Sequence, residues 1–120
     1  MASFNKTFLT GSADGTGILL TGTTTGGAVA VHTGSTSVGT IDEVFIYASN
    51  TQATTAVNVT LLVGSGTVTD QITASIPAQD GLYQLVPGLI LSGTTTALVV
   101  SAYAGTASVC NIFGYVNRIS

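Results

Sequence analysis

Few residues in this 120-residue chain could carry chemistry, and their spacing limits what they could do. His32 is the only histidine and Cys110 the only cysteine. A histidine acting as general base needs a nucleophile within reach and usually an orienting carboxylate, and no recognised nucleophile motif accompanies AVAVHTG. His32 is therefore expected at a surface or interface. Cys110 sits in the apolar run VCNIF, the setting of a buried, inert thiol. One cysteine forms no intrachain disulfide, and a Cys/His metal cluster would lack its ligands. Asp42 and Glu43 are adjacent on a predicted strand, so they point to opposite faces and cannot act as a pair. With no Trp in the chain, the sugar platform common in glycosidase clefts is also missing. Asp14-Gly15 and Asp80-Gly81 have the form of turn dipeptides, and no close grouping of acids suggests a calcium loop. GSADGTG lacks both the GK[ST] ending and the following helix of a phosphate loop. The expectation is a protein with no catalytic, cofactor or metal residues, and not an enzyme.

Charge narrows the field further. Charged residues make up 6% of the chain, against about 25% in an average globular protein. The surface must then consist largely of Thr, Ser, Asn, Gln and Gly, or else meet partners. Lys6 and Arg118, the only two Lys or Arg residues, cannot neutralise a run of phosphates, so nucleic acid is excluded as a partner. A membrane is excluded as well, because Gly, Thr and Ser interrupt every apolar run well short of the roughly 20 residues a spanning helix needs. The segment MASFNKTFLTGSADG lacks a basic stretch followed by a long apolar one, so the chain is expected to be made in a cytoplasm.

The elements that would position these residues are strands. Thr, Val and Ile dominate, and β-branched side chains fit a pleated sheet better than a helix turn. From Val57 to Val63, Val57, Val59, Leu61 and Val63 share one face while Asn58 and Thr60 take the other. In IDEVFIYASN, Val44, Ile46 and Ala48 alternate with Phe45 and Tyr47, so both faces are apolar or amphipathic and the strand is expected to be central. QITASI, LYQLV, GLIL, TALVVSAYA and SVCNIFGYVNRI follow at the short spacing of a sandwich. Turns are expected at Asn50-Thr51, GSGT, Asp80-Gly81 and Pro87-Gly88, with Pro77 and Pro87 at strand ends. The expected fold is all-β with almost no helix, a jelly-roll or other Greek-key β-sandwich of about eight strands. It forms a single domain, with residues 1–40 as a Gly/Thr-rich N-terminal arm or edge strands and residues 41–120 as the sandwich core.

The aromatic residues point to contacts. Phe113 and Tyr115 alternate with Ile112 and Val116, giving the last strand an apolar face on each side, of which only one can enter the core. Tyr47 and Tyr103 raise the same question on their strands, and tyrosine suits an interface because it combines a large area with a polar tip.

IDEVFIYASN, IPAQDGLYQLVPGLILSG and NIFGYVNRIS resemble segments of small virion proteins of tailed bacteriophages, in particular the capsid decoration (cement) proteins of marine phages. The resemblance covers roughly residues 40–120. It implies a jelly-roll domain, assembly as a homotrimer, and a place on the outer capsid surface over contacts between major capsid proteins. Candidate subunit or capsid contacts are Phe4, Phe8, His32, Tyr47, Tyr103, Phe113, Tyr115 and Arg118. Other virion parts, such as a head fibre, vertex or tail protein, and a carbohydrate-binding sandwich are the alternatives.

Overall fold

Alternating apolar residues must bury one side of each strand, and two sheets facing one another do so here. The computed structural model describes residues 3–65 and 67–120; Gly66 of the expected GSGT turn lies outside the described residues. Nine strands run in order: β1 (Phe4–Phe8), β2 (Ile18–Leu19), β3 (Val29–Thr33), β4 (Ile41–Asn50), β5 (Val57–Val63), β6 (Gln71–Ile76), β7 (Tyr83–Ser92), β8 (Val99–Ala104) and β9 (Cys110–Ile119). Sheet A has the order β1-β9-β4-β7, with β2 also pairing β9, and sheet B the order β3-β8-β5-β6. All the pairings are antiparallel. From β2 onward the chain crosses between the sheets at every connection except the β5–β6 hairpin, and the strands β1-β9-β4-β7 facing β3-β8-β5-β6 form two interlocked Greek keys, which is a jelly roll. Two single-turn 3-10 segments, at Thr25–Gly27 and Val68–Asp70, are the only helical pieces among the described residues. Among the described residues no helix is long and apolar enough to cross a membrane.

The core follows the alternation. Val44, Ile46 and Ala48 from β4, Ile112 and Val116 from β9, Val59 and Leu61 from β5, and Val100, Ala102 and Ala104 from β8 are fully buried between the sheets. Cys110 lies among them, and burial pushes its thiol pKa up. The first forty residues contribute to the same core through Leu9, Ile18, Leu20 and Val31. They supply the edge strands β1 and β3 and the short β2.

Two local expectations need correction, both because of bulges. Pro87-Gly88 does not end a strand: YQLV and GLIL belong to one strand, β7, whose register against β4 shifts between Val44 and Phe45 and again between Ile46 and Tyr47. Pro87 lies inside β7, which is tolerated because β7 is an edge. Gly88 has a φ of +116° and lies against the Phe45 ring, so a side chain there would be strained by the backbone conformation. In β3, the register shifts between Ala30 and His32. That bulge turns both Val31 and His32 inward, where simple alternation places His32 outward.

Gly114 marks the closest approach inside sheet A. A Cβ at this position would lie 2.1 Å from the Phe45 carbonyl oxygen and 3.2 Å from Leu9. Gly114→Val should therefore destabilise the domain by about 3 kcal/mol, the upper range for overpacking. Chemical denaturation should show this as a lower midpoint, and an unchanged midpoint would mean the strand relaxes freely there.

Candidate functional site

The structure sorts the candidate residues into three places. Phe4, Phe8, Tyr47, Phe113 and Tyr115 gather on the outward face of sheet A, Tyr103 lies on the outward face of sheet B, and His32 and Arg118 form a buried polar network. The registers of β1, β9, β4 and β7 align the first group in rows. One row runs Phe8, Tyr115, Phe45, Pro87; the next Lys6, Asn117, Glu43, Ile90; and a third Phe4, Ile119, Ile41, Ser92. Phe113 and Tyr47 pair directly beyond them.

This face is ordered by its own contacts. Phe45 and Tyr115 stack with centroids 4.7 Å apart at 15°, and the Lys6 ammonium sits 5.0 Å from the Tyr115 centroid. Lys6 comes from the β1 side and Phe45 from the β4 side, so the Tyr115 ring is contacted from both neighbouring strands. Asn117 donates to Glu43 at 3.2 Å, tying down the only carboxylate in these rows. Central rings are half-buried by one another, whereas Phe4, Phe8 and Ile90 at the margins are 72%, 55% and 58% exposed. Phe45, Ile41, Ile119 and Ile90 were not among the candidates. Phe45 was legible from its two-residue spacing to Tyr47; the others required the cross-strand register.

The polar network corrects the expectation for His32. His32 is neither at a surface nor at an interface: it is 1% exposed and faces Asp42, which is fully buried. The imidazole Nε2 donates to Asp42 Oδ2 at 2.8 Å, and Nδ1 accepts the Thr10 backbone N–H at 3.2 Å. A backbone N–H can only donate, so the ring is the neutral Nε2–H tautomer. Arg118 reaches Asp42 with a two-pronged contact, Nε to Oδ1 at 2.7 Å and Nη2 to Oδ2 at 2.8 Å. Its guanidinium points inward, and the side chain stays 36% exposed. Asp42 and Arg118 are cross-strand neighbours in sheet A while His32 belongs to sheet B, so the network bolts the two sheets together at one end. Both imidazole nitrogens are occupied and the ring is buried, leaving it nothing with which to take a proton from a ligand. Glu43 lies on the opposite face from Asp42, as the strand alternation requires.

Elsewhere, the Asp14 carboxylate accepts the Thr16 hydroxyl and N–H at 2.7 and 3.1 Å, an Asx-type turn whose hydrogen bonds lower the Asp14 pKa. Among the described residues, no group of three or more His, Cys, Asp or Glu side chains could hold a metal ion. An open cleft of about 210 Å³ between Val63, Ile72, Leu89 and Asp70 is smaller than most small-molecule sites. The fold thus defines the class of the protein, an antiparallel jelly-roll sandwich with an aromatic outer face. Neither family models, nor curated proteins, nor solved structures give a match to the chain.

Burial pushes the Asp42 carboxyl pKa up, but the Arg118 hydrogen bonds, the His32 hydrogen bond and the Arg118 charge outweigh it, and the group is held below the usual carboxylate value. A carboxyl depressed in the folded state contributes its full stability above the unfolded value of about 3.9 and loses it as pH falls through the folded value. Urea midpoints should therefore drop as pH falls below about 4, and Asp42→Asn should flatten that slope. Arg118→Met leaves a buried carboxylate with His32 as its main partner and should cost about 3 kcal/mol at neutral pH. An Asp42→Asn slope identical to that of the parent would place the acid sensitivity elsewhere.

Proposed function

We propose that the chain is a virion structural protein: a capsid decoration (cement) protein that assembles as a homotrimer on the outer surface of a tailed-phage head and stabilises contacts between major capsid proteins. The observation that carries this reading is the outward face of sheet A. Two of its three rows are largely apolar and aromatic, and the row between them carries Lys6, Asn117 and Glu43 beside Ile90. Soluble monomers rarely leave a contiguous apolar face of this kind to water, and such faces usually meet another macromolecule. Rings stacked before a partner arrives have little side-chain freedom left to lose on docking.

Scarce charge fits the same reading. A protein with two fixed cations has little affinity for packaged DNA and suits the outside of the shell. A trimer would place three copies of each weak contact on neighbouring shell subunits, so release requires losing them together. The chain would be made in the host cytoplasm and end in the virion.

Light scattering of the purified chain should give the mass of a trimer, and the protein should co-sediment with expanded, DNA-free heads. A monomer that does not bind heads would overturn the proposal. Because the face has few charges, attachment should persist in about 1 M NaCl, where charge pairs are screened. Ile90→Lys alters only an exposed margin of the face and sets a cation opposite Glu43; it should weaken head binding while leaving stability within about 0.5 kcal/mol.

A further inference from the structure

The two sheets have four open edges, and two of them are interrupted. Edge strand β7 contains Pro87 and two register shifts. In β3 there is a bulge, with the Val31 carbonyl taken by Gly11 N–H and the Thr33 N–H by the Thr10 hydroxyl. β6 pairs with β5 without a shift but is largely half-buried, and its Ile76 carbonyl is taken by the Asn50 amide. The fourth, β1, is straight: five residues pair with β9 without a shift, and all five are exposed.

Its hydrogen-bonding pattern can be read from one end. Ser3 and Ser120 exchange N–H···O bonds of 2.7 and 3.0 Å. In an antiparallel ladder such exchanging pairs alternate, so Asn5 with Arg118 and Thr7 with Val116 are the next two. The N–H and C=O groups of Phe4, Lys6 and Phe8 then point away from β9. Among the described residues, only the Phe8 carbonyl of these groups has a hydrogen-bond partner, the Thr7 hydroxyl at 3.4 Å. The side chains of the same three residues stand on the outward face of sheet A.

We propose that β1 is a strand-addition site that accepts an extended segment of another protein, running antiparallel, with apolar residues opposite Phe4 and Phe8 and an acidic residue opposite Lys6. Such a segment would extend sheet A and its outer face by one strand, with backbone hydrogen bonds supplying affinity and alternate side chains supplying selection. Charge decides against a second copy of this chain as the occupant. Antiparallel self-pairing at full overlap places Lys6 directly opposite Lys6, and like charges facing one another across a ladder are destabilising. Shifting by two residues relieves this but leaves only two of the three outward residues paired. A lysine in the middle of an exposed edge is itself a common guard against self-association. The inference does not depend on the identity of the partner or on a phage head.

The test uses the isolated full chain and two synthetic peptides, Thr-Val-Thr-Glu-Thr-Val-Thr and the same peptide with Lys in place of Glu. Amide exchange and chemical shifts followed by NMR should show the Glu peptide protecting the N–H groups of Phe4, Lys6 and Phe8, and binding roughly fivefold or more tightly than the Lys peptide. Lys6→Pro removes the central outward donor without touching the β9 ladder and should abolish protection. Lys6→Glu should invert the peptide preference, and it keeps the test decisive if the proline variant does not fold. Absence of protection, or equal binding of both peptides, would overturn the proposal. Concentration-dependent protection of the same three amides without peptide would overturn it too, because the occupant would then be a second copy.

Discussion

The carboxylate of Asp42, fully buried at one end of the sandwich, is the constraint around which the rest is arranged. An ionised group removed from water must be fully partnered or it unfolds its surroundings. Its partners come from three other parts of the chain: Arg118 at the end of β9, His32 on β3, and, through the imidazole, the backbone of Thr10 between β1 and β2. A one-residue slip of β4 would send Asp42 to the outside and bring Glu43 inside, breaking all of these contacts while also turning Phe45 and Tyr47 into the core. Polar network and apolar alternation therefore specify the same register.

With that register set, the two sides of sheet A have different tasks. The inner side is aliphatic and closes on sheet B. The outer side collects phenylalanine and tyrosine, arranged so that neighbouring strands stack rings and Lys6 lies over one of them. Charge is nearly absent from these rows because Asp42 and Arg118 are used inside and the remaining charged residues are few. The jelly-roll topology also decides which edges are open. Bulges and loop contacts blunt β7 and β3, whereas β1, joined to the sheet only through β9, overhangs the sandwich with even Asn5 and Thr7 exposed.

Much of this was legible in the order of residues. Strands β4, β5, β6 and β9 follow directly from two-residue alternation bounded by turn residues, and the doubly apolar character of β4 announced its central place. What was not legible sits at bulges. Alternation carries no mark for an extra residue, so AVAVHT reads as a regular strand with His32 outward, and Pro87-Gly88 reads as a break in what is one bulged strand. The partners of Asp42 were hidden for a related reason: His32 is ten residues away from it and Arg118 seventy-six, and only strand pairing brings them together.

By itself, then, the sequence determined the class of fold, the faces of most strands and the burial of Cys110, because these depend on local periodicity and on the cost of exposing apolar groups. Tertiary structure alone decided that five of the aromatic candidates share one face, that Tyr103 is on the other sheet, and that His32 and Arg118 serve the interior. Those outcomes rest on cross-strand register and on one bulge, which are settled by how distant segments pack and not by the residues beside them in the chain.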